Sequence, residues 1–504
     1  MTTYEETVSL RKGGDPEASY NLAMKVRAED PGCEWVYNQI GWCLYEMLNQ
    51  EAGAGNADGF LARLHEYAGL NRERPIDPNI TRRLVWPIRR MVAGCIEQDY
   101  ADDGVLYRVL AVLRQIPFDT ADENYHILLG AFLKARKWGG LKQLIDWWGL
   151  ENLQEKDCKP FRTADGRTIM SLAEQTYIAY SNILIGETSA NQFANSEALA
   201  FAARLAEVSA KHPEFQYPAY FRAKLLLAAG CRSDAVEALL PFVEKKAGDY
   251  WVWDLLGDAE EDDGLRLSCY CKALTCRAKE EFLRKLHFKL CDLLAAKGMY
   301  AEARAELDEA IAISRRKGWS LPPRYQDHTT KPWYRDAPTG RDNTQFYKEN
   351  RAQAEQLAYS HFPQTAIVIV NVDKERGVAH FVTAERKQGI LSCRQLNAKA
   401  GSAWLCRLQN NHKNHCRLLT CQPTDGFEHE LLKKFSGRLS VKKGGFGFVD
   451  GIFVPRHDAE RLGDGADVSG TAIPSFDKGK STWGWAALTA VQSNKSDLTA
   501  STSV

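Results

Sequence analysis

The chain has 504 residues, too many for one compact core, so two or more domains are expected. Hydrophobic residues make up 44% and charged residues 26%, an ordinary soluble composition, and no run approaches the roughly 18 apolar residues that a membrane helix needs. The net charge of zero hides a split: residues 363–490 carry 18 Lys and Arg against 12 Asp and Glu, whereas residues 1–362 carry 46 against 52, so the C-terminal part suits a polyanionic partner.

The 13 cysteines follow no regular framework, and the segment from Thr3 to Arg11 is polar and unlike a targeting peptide. Reduced thiols and a cytoplasmic location are the expectation.

From residue 1 to about 320 apolar residues recur three and four apart in helix-length blocks broken by Gly, Pro or Asn, which predicts an all-α region. Between 50 and 180 the predicted helices are Gly59–Leu70, Asn79–Gln98, Gly104–Gln115, Glu123–Lys137 and Ile169–Ile185, with a loop around Cys158-Lys159-Pro160. At the end of this region a period emerges. Gly230, Gly264 and Gly298 are 34 residues apart, and Ala223/Gly257/Cys291, Leu226/Glu260/Leu294, Ala235/Cys269/Ala303 and Leu239/Ala273/Leu307 keep the same register. Each Gly is expected to end a first helix in a left-handed turn, and the small residues let paired helices approach closely.

Tyr300-Ala301-Glu302-Ala303 and Trp253-Asp254-Leu255-Leu256-Gly257 resemble the tetratricopeptide consensus, whose period matches. The resemblance implies a solenoid over 1–320, clearest at 216–317 and degenerate before that, with a protein partner bound along it.

Residues 321–362 are expected to be a connector, irregular through Pro322, Pro323, Pro332 and Pro338 and ending in a polar helix. From 363 the pattern turns to short β-branched or alternating runs, first Thr365–Val372, then Val378–Val382, Gly389–Ser392 and Ala403–Leu408. Their order predicts a first, degenerate OB-like domain over 363–425, with His380 and Phe381 left as its aromatic contacts.

A second domain is expected over 432–490. Gly445-Phe446-Gly447-Phe448-Val449 and Ile452-Phe453-Val454 read as two strands joined by an Asp450-Gly451 turn. Side chains alternate along a strand, so Phe446, Phe448 and Phe453 can share one face while the aliphatics enter the core; a hairpin with its phenylalanines in the core is the competing reading. Exposed aromatics beside glycines and lysines suit the stacking of unpaired bases. Lys442, Lys443 and Arg438, with Lys433 and Lys434, would follow the phosphates. Trp483 and Trp485 also share a face, and either extend this surface or cover the barrel end. Residues 491–504 are polar and small, and are expected to be disordered.

The two phenylalanine motifs resemble those of cold-shock-type OB domains, in the version that precedes the catalytic module of RNase II-like exonucleases; Pro455 stands where bacterial cold-shock proteins carry His, and Leu462-Gly463-Asp464-Gly465-Ala466-Asp467-Val468 fits the following turn and strand. The resemblance implies RNA binding without cleavage, because the carboxylate cluster of those nucleases has no place here.

Other chemistry finds little support. There is no G-x-x-x-x-G-K-[ST] loop and no G-x-S-x-G elbow, and in His429-Glu430-Leu431-Leu432-Lys433 a lysine replaces the second His of a zinc-protease motif. His412, His415, Cys416 and Cys421, with Cys393 and Cys406 nearby, could supply zinc ligands, but H-x-x-H-C-x-x-x-x-C is not a standard spacing, and a phosphate-touching loop is preferred. Arg407 and His412 match the R-x-x-x-x-H of HEPN ribonucleases but fall in β context. The expectation is therefore a non-enzymatic adaptor without cofactor or metal, binding single-stranded RNA or DNA through the OB domains and a protein through the repeats. A purely protein-binding scaffold, a nucleic-acid sensor of a bacterial defence system and an enzyme with a site within 50–180 are the alternatives.

Overall fold

The computed structural model describes residues 3–97, 103–190, 195–392, 398–411, 415–424, 431–477 and 479–493. The chain forms two compact units, Met1–Leu239 and Leu240–Val504. It is helical first and β-stranded afterwards, the expected fold class, and no helix among the described residues is long and apolar enough to cross a membrane.

In the first unit the helix starts are set by local chemistry. Asp15 accepts from the Ala18 amide ahead of the helix Pro16–Glu29, Asn56 from Gly59 ahead of Ala57–Glu73, and Asp77 from Asn79 ahead of Pro78–Arg83; these are side-chain N-caps, twice followed by Pro at the first helical position. Val36, Ile40 and Leu44 of the helix Glu34–Ala54 are buried with Phe60, Leu64 and Tyr67 of the next helix. The helix expected over Asn79–Gln98 is two, Pro78–Arg83 and Val85–Glu97, broken at Leu84. The one expected over Glu123–Lys137 shortens to His126–Phe132. The predicted loop near Cys158 contains a 3-10 turn and then a two-stranded hairpin, β1 (Phe161–Arg162) and β2 (Thr168–Ile169).

In the second unit, the helices Tyr250–Ala259, Asp263–Leu274, Glu280–Ala296 and Tyr300–Arg316 form two successive pairs. Their small positions are buried at the close approaches: Gly257, Cys269, Cys291 and Ala303. A Cβ on Gly257 would lie 2.5 Å from the Tyr270 ring. Gly298 ends its helix with φ +74°, as expected, but Gly264 does not. It sits inside the first turn of Asp263–Leu274. The acidic run before it supplies Asp262, whose carboxylate accepts from the Leu265 amide at 2.8 Å and starts the helix early.

The connector is more ordered than its prolines suggest. It forms four short helices, Pro323–Thr330, Pro332–Asp336, Thr344–Asn350 and Ala352–Ala358, strapped across the helix pairs. Tyr325 stacks on Phe288 with ring centroids 3.9 Å apart. The Tyr325 hydroxyl and His328 Nε2 both meet Asp292 at 2.8 Å, Tyr334 donates to Asp308 at 2.5 Å, and Lys272 pairs with Glu355 at 2.6 Å. The innermost anchor is Glu306, a fully buried carboxylate that accepts from Asn343 and Tyr347 at 2.6 Å and faces His287 Nδ1 at 2.7 Å.

Two β-barrels follow. β3 (Gln364–Asp373), β4 (Val378–Thr383), β5 (Gln388–Ser392), β6 (Ala403–Asn411) and β7 (His415–Pro423) close in the order β3-β4-β5-β7-β6, with β5 and β7 parallel. The second barrel uses β8 (Lys433–Arg438), β9 (Ser440–Val441), β10 (Gly447–Val449), β11 (Ile452–Val454), β12 (Asp467–Asp477) and β13 (Thr482–Gln492). Its order is β8-β12-β13-β11-β10-β9. β8 and β9 are two halves of one bent segment, so a single stretch of chain borders both ends of the sheet. With β11 and β13 parallel, both barrels repeat the OB order. Val368 and Val382 of the first barrel share a buried cluster with Leu431 and Ile473 of the second.

Candidate nucleic-acid interface

The hairpin β10–β11 turns through Asp450 and Gly451, at φ +45° and +79°. Positive φ at both central residues is the turn whose twist matches paired strands. The register opposes Phe448 to Phe453 and Val449 to Ile452. Val449, Ile452 and Val454 are buried in the barrel core, so the alternation sends Phe448 and Phe453 outward. Phe446 joins them from the loop. The three ring centroids lie 5.7–5.9 Å from one another, and Phe453 is 37% exposed. Aromatic rings on the outer surface while the aliphatics of the same strands fill the core is the first of the two arrangements weighed for this hairpin.

The glycines fit the same logic. Gly447 is buried, and a Cβ there would press on Leu439 at 2.6 Å. Gly445 has φ +81°, and a Cβ would stand 2.9 Å from Glu460 and 3.0 Å from Arg456 of the short helix Arg456–Leu462. The loop is pinned by the Lys442 amide donating to Phe446 O and the Gly445 amide to Lys442 O, each at 2.8 Å.

Lys442 and Lys443 are exposed on this loop, and Lys442 Nζ donates to Ser440 Oγ at 3.0 Å. Ser440 is the register partner of Phe448, which puts this lysine beside the rings. Arg438 is exposed at the end of β8 and donates to Gly465 O at 3.0 Å. Lys433 and Lys434 are exposed at the other end of that strand. The acid of the glycine turn is structural: Asp464 accepts from the Val441 amide at 2.8 Å.

The other nominated residues lie elsewhere. Phe381 is 1% exposed, inside the first barrel. It opposes Gly389, and its ring fills the space a side chain at Gly389 would need, so it is a core residue and not a contact. His380 is half-buried on the outer face, between Asn371 and the exposed Ile390. Trp483 and Trp485 share a face but not that of the phenylalanines, because it is Ala486 that registers with Phe453. Trp485 packs on the second core and Trp483 on the cluster between the barrels. Arg386, at φ +63°, lies over both rings at 5.9 and 5.0 Å. They cover a barrel junction.

The zinc and HEPN patterns do not assemble among the described residues. Cys406 and Cys421 oppose each other across β6 and β7, and the hydrogen bond between them raises the Cys406 thiol and lowers that of Cys421. Arg407 braces the barrel entry, its guanidinium donating to Ser360 O at 2.9 Å and to Phe362 O. Cys393, His412, His429, Glu430 and residues 494–504 of the expected tail fall outside the described residues, as does the side chain of His415. No group of three or more metal-ligating side chains occurs among the described residues.

Comparison with protein families places two parts of the chain. Residues 216–354, the last helix pairs with most of the strap, match a domain of unknown function, DUF7017. No curated protein matches the chain. Residues 433–490, the barrel that carries the three phenylalanines, match S1/CSD-like domain 2 of the TOTE conflict systems.

Proposed function

We propose that this chain is a non-catalytic adaptor that binds single-stranded RNA or DNA on the outer face of its second barrel. The observation that carries the reading is the triad Phe446, Phe448 and Phe453, three rings within 5.9 Å of one another outside a core completed by Val449, Ile452 and Val454. Bases stack on such rings with little regard to sequence, and Lys442, Lys443 and Arg438 supply charge for the phosphates. The cold-shock-like match at 433–490 supports nucleic-acid binding and a role in a conflict system, sensing foreign nucleic acid. The helix pairs, which we read as tetratricopeptide-like, serve as the scaffold for a protein partner.

The test is a fluorescence-anisotropy titration of the full chain with labelled single strands. Stacking is worth roughly 1–3 kcal/mol per base, so the double variant F446A/F448A should bind at least about tenfold more weakly. Equal affinity of variant and wild type removes the proposal.

A further inference from the structure

Residues 78–96 contain four arginines and no acidic residue, within a helical region that is acidic overall. They span the helix Pro78–Arg83 and most of the helix Val85–Glu97. Arg82, Arg83, Trp86, Arg89 and Arg90 are all exposed, while Leu84, Val85 and Ile88 between them are buried. Within the second helix Trp86, Arg89 and Arg90 are three and four residues apart, which is one helical face, and Arg82 and Arg83 end the helix before it. Trp86 is 44% exposed, a large ring left in solvent, with the Arg89 guanidinium over it at 5.8 Å.

The neighbouring helix Glu34–Ala54 continues the patch. Arg83 lies over the Trp42 ring at 5.6 Å and Arg11 over the same ring at 5.3 Å, and Trp42 meets Tyr45 edge-on at 6.0 Å. The acidic group at this edge, Glu46, pairs with Arg11 at 3.8 Å. Arg82 is engaged by Asp122 at 3.3 Å. Among the described residues no carboxylate pairs with Arg83, Arg89 or Arg90. Three guanidinium groups with no carboxylate partner among the described residues, set around the exposed Trp86 ring and the half-buried Trp42 ring, combine phosphate binding with a stacking surface.

We infer that the face formed by Trp42, Arg83, Trp86, Arg89 and Arg90 is a second contact for single-stranded nucleic acid, separate from the phenylalanine triad. The arginines take phosphates and Trp86 takes a base. The inference rests on the nucleic-acid reading of the chain but on none of the barrel residues.

Two measurements on the full chain test it. A single strand carrying 5-iodouracil is photo-crosslinked to the protein and the adducts are mapped by mass spectrometry. Adducts are expected at residues 446–454 and also on Trp86 or Trp42. Adducts at 446–454 alone overturn this inference and leave the barrel reading standing; adducts at Trp86 without any at 446–454 overturn the barrel reading instead. In parallel, the variant R83E/R89E/R90E is titrated at several salt concentrations. Loss of three phosphate contacts should lower the slope of log K against log salt by about 2, with affinity down roughly tenfold or more at low salt. These side chains are exposed, so the fold should survive, which circular dichroism checks. An unchanged slope overturns the second contact, including the case in which the patch serves an acidic polypeptide.

Discussion

Glu306 offers a sharp test of how the strap is held. Its carboxylate is fully buried and meets His287 at 2.7 Å, Asn343 at 2.6 Å and Tyr347 at 2.6 Å. Asn343 also donates to Glu302 O at 3.0 Å. The charge is tolerable because three polar groups surround it, and burial together with this carboxylate pushes the Tyr347 hydroxyl well above its usual range. Glu306→Ala strands those partners in a dry site. Removing one member of a buried charged network costs about 3–5 kcal/mol. Glu306→Gln keeps one acceptor but turns an amide toward a donor, so about 1–3 kcal/mol is expected. The loss should be local first, because the strap touches this site through residues 343–347. Hydrogen exchange read by mass spectrometry is the assay: in Glu306→Ala, amides of 343–358 should exchange at least about a hundredfold faster than in wild type. The exposed control Asp342→Ala removes two bonds from Thr344, from its amide at 2.8 Å and its hydroxyl at 2.7 Å, and at a net cost of about 1 kcal/mol should speed exchange by no more than about tenfold. Equal protection of 343–358 in wild type and Glu306→Ala would refute the anchoring argument.

Other predictions follow from single contacts. Lys289 bridges Asp254 and Asp258 at 2.7 Å each and its pKa is raised, burial opposing and the two carboxylates favouring the charged form. A lysine raised on folding stabilises below its unfolded pKa and loses that contribution as pH rises through the folded one. Urea midpoints of wild type and Lys289→Met should therefore differ at pH 8 and converge as pH rises through the lysine's raised folded pKa; a constant difference would contradict the pairing. Gly470→Ala would drive a Cβ into the Thr489 carbonyl on the adjacent strand; the second barrel should lose about 3 kcal/mol or more, visible as a lower melting temperature. Gly451→Ala, at φ +79° in the hairpin turn, should cost about 1 kcal/mol and loosen the phenylalanine face, read as weaker binding. Arg386→Ala removes a guanidinium lying over two indoles, worth about 1 kcal/mol, and should raise hydrogen exchange at 482–486 without altering the Phe446 loop.

The parts legible in the sequence were those decided by neighbours along the chain. The outward set Phe446, Phe448 and Phe453 followed from alternation and an Asp-Gly turn, both local. The small residues that let helices approach closely, such as Gly257 and Cys291, are buried where the spacing put them, whereas Gly264 falls inside a helix start instead of at a helix end. What escaped depended on partners that strand pairing and helix packing supply. Phe381 looks like the aromatic of a binding strand until Gly389 appears opposite it and claims its ring. The strap at 323–358 looks like a proline-rich linker because its anchors, Lys272, Asp292, Glu306 and Asp308, belong to other helices. β7 takes its place beside β5 only through a parallel pairing of residues far apart in sequence, such as Gln388 and His415. The arginine face around Trp86 could have been noticed from residues 78–96 alone, as four basic residues at helical spacing with no acid among them.

The most direct measurement is the 19F NMR spectrum of the full chain labelled with fluorophenylalanine, recorded with and without a single-stranded oligonucleotide. Of the 20 phenylalanines, the resonances of Phe446, Phe448 and Phe453, assigned by single substitution, should shift as the strand is added, while buried Phe381 stays in place. Binding that leaves those three resonances unmoved would contradict the assignment of the triad as the nucleic-acid face.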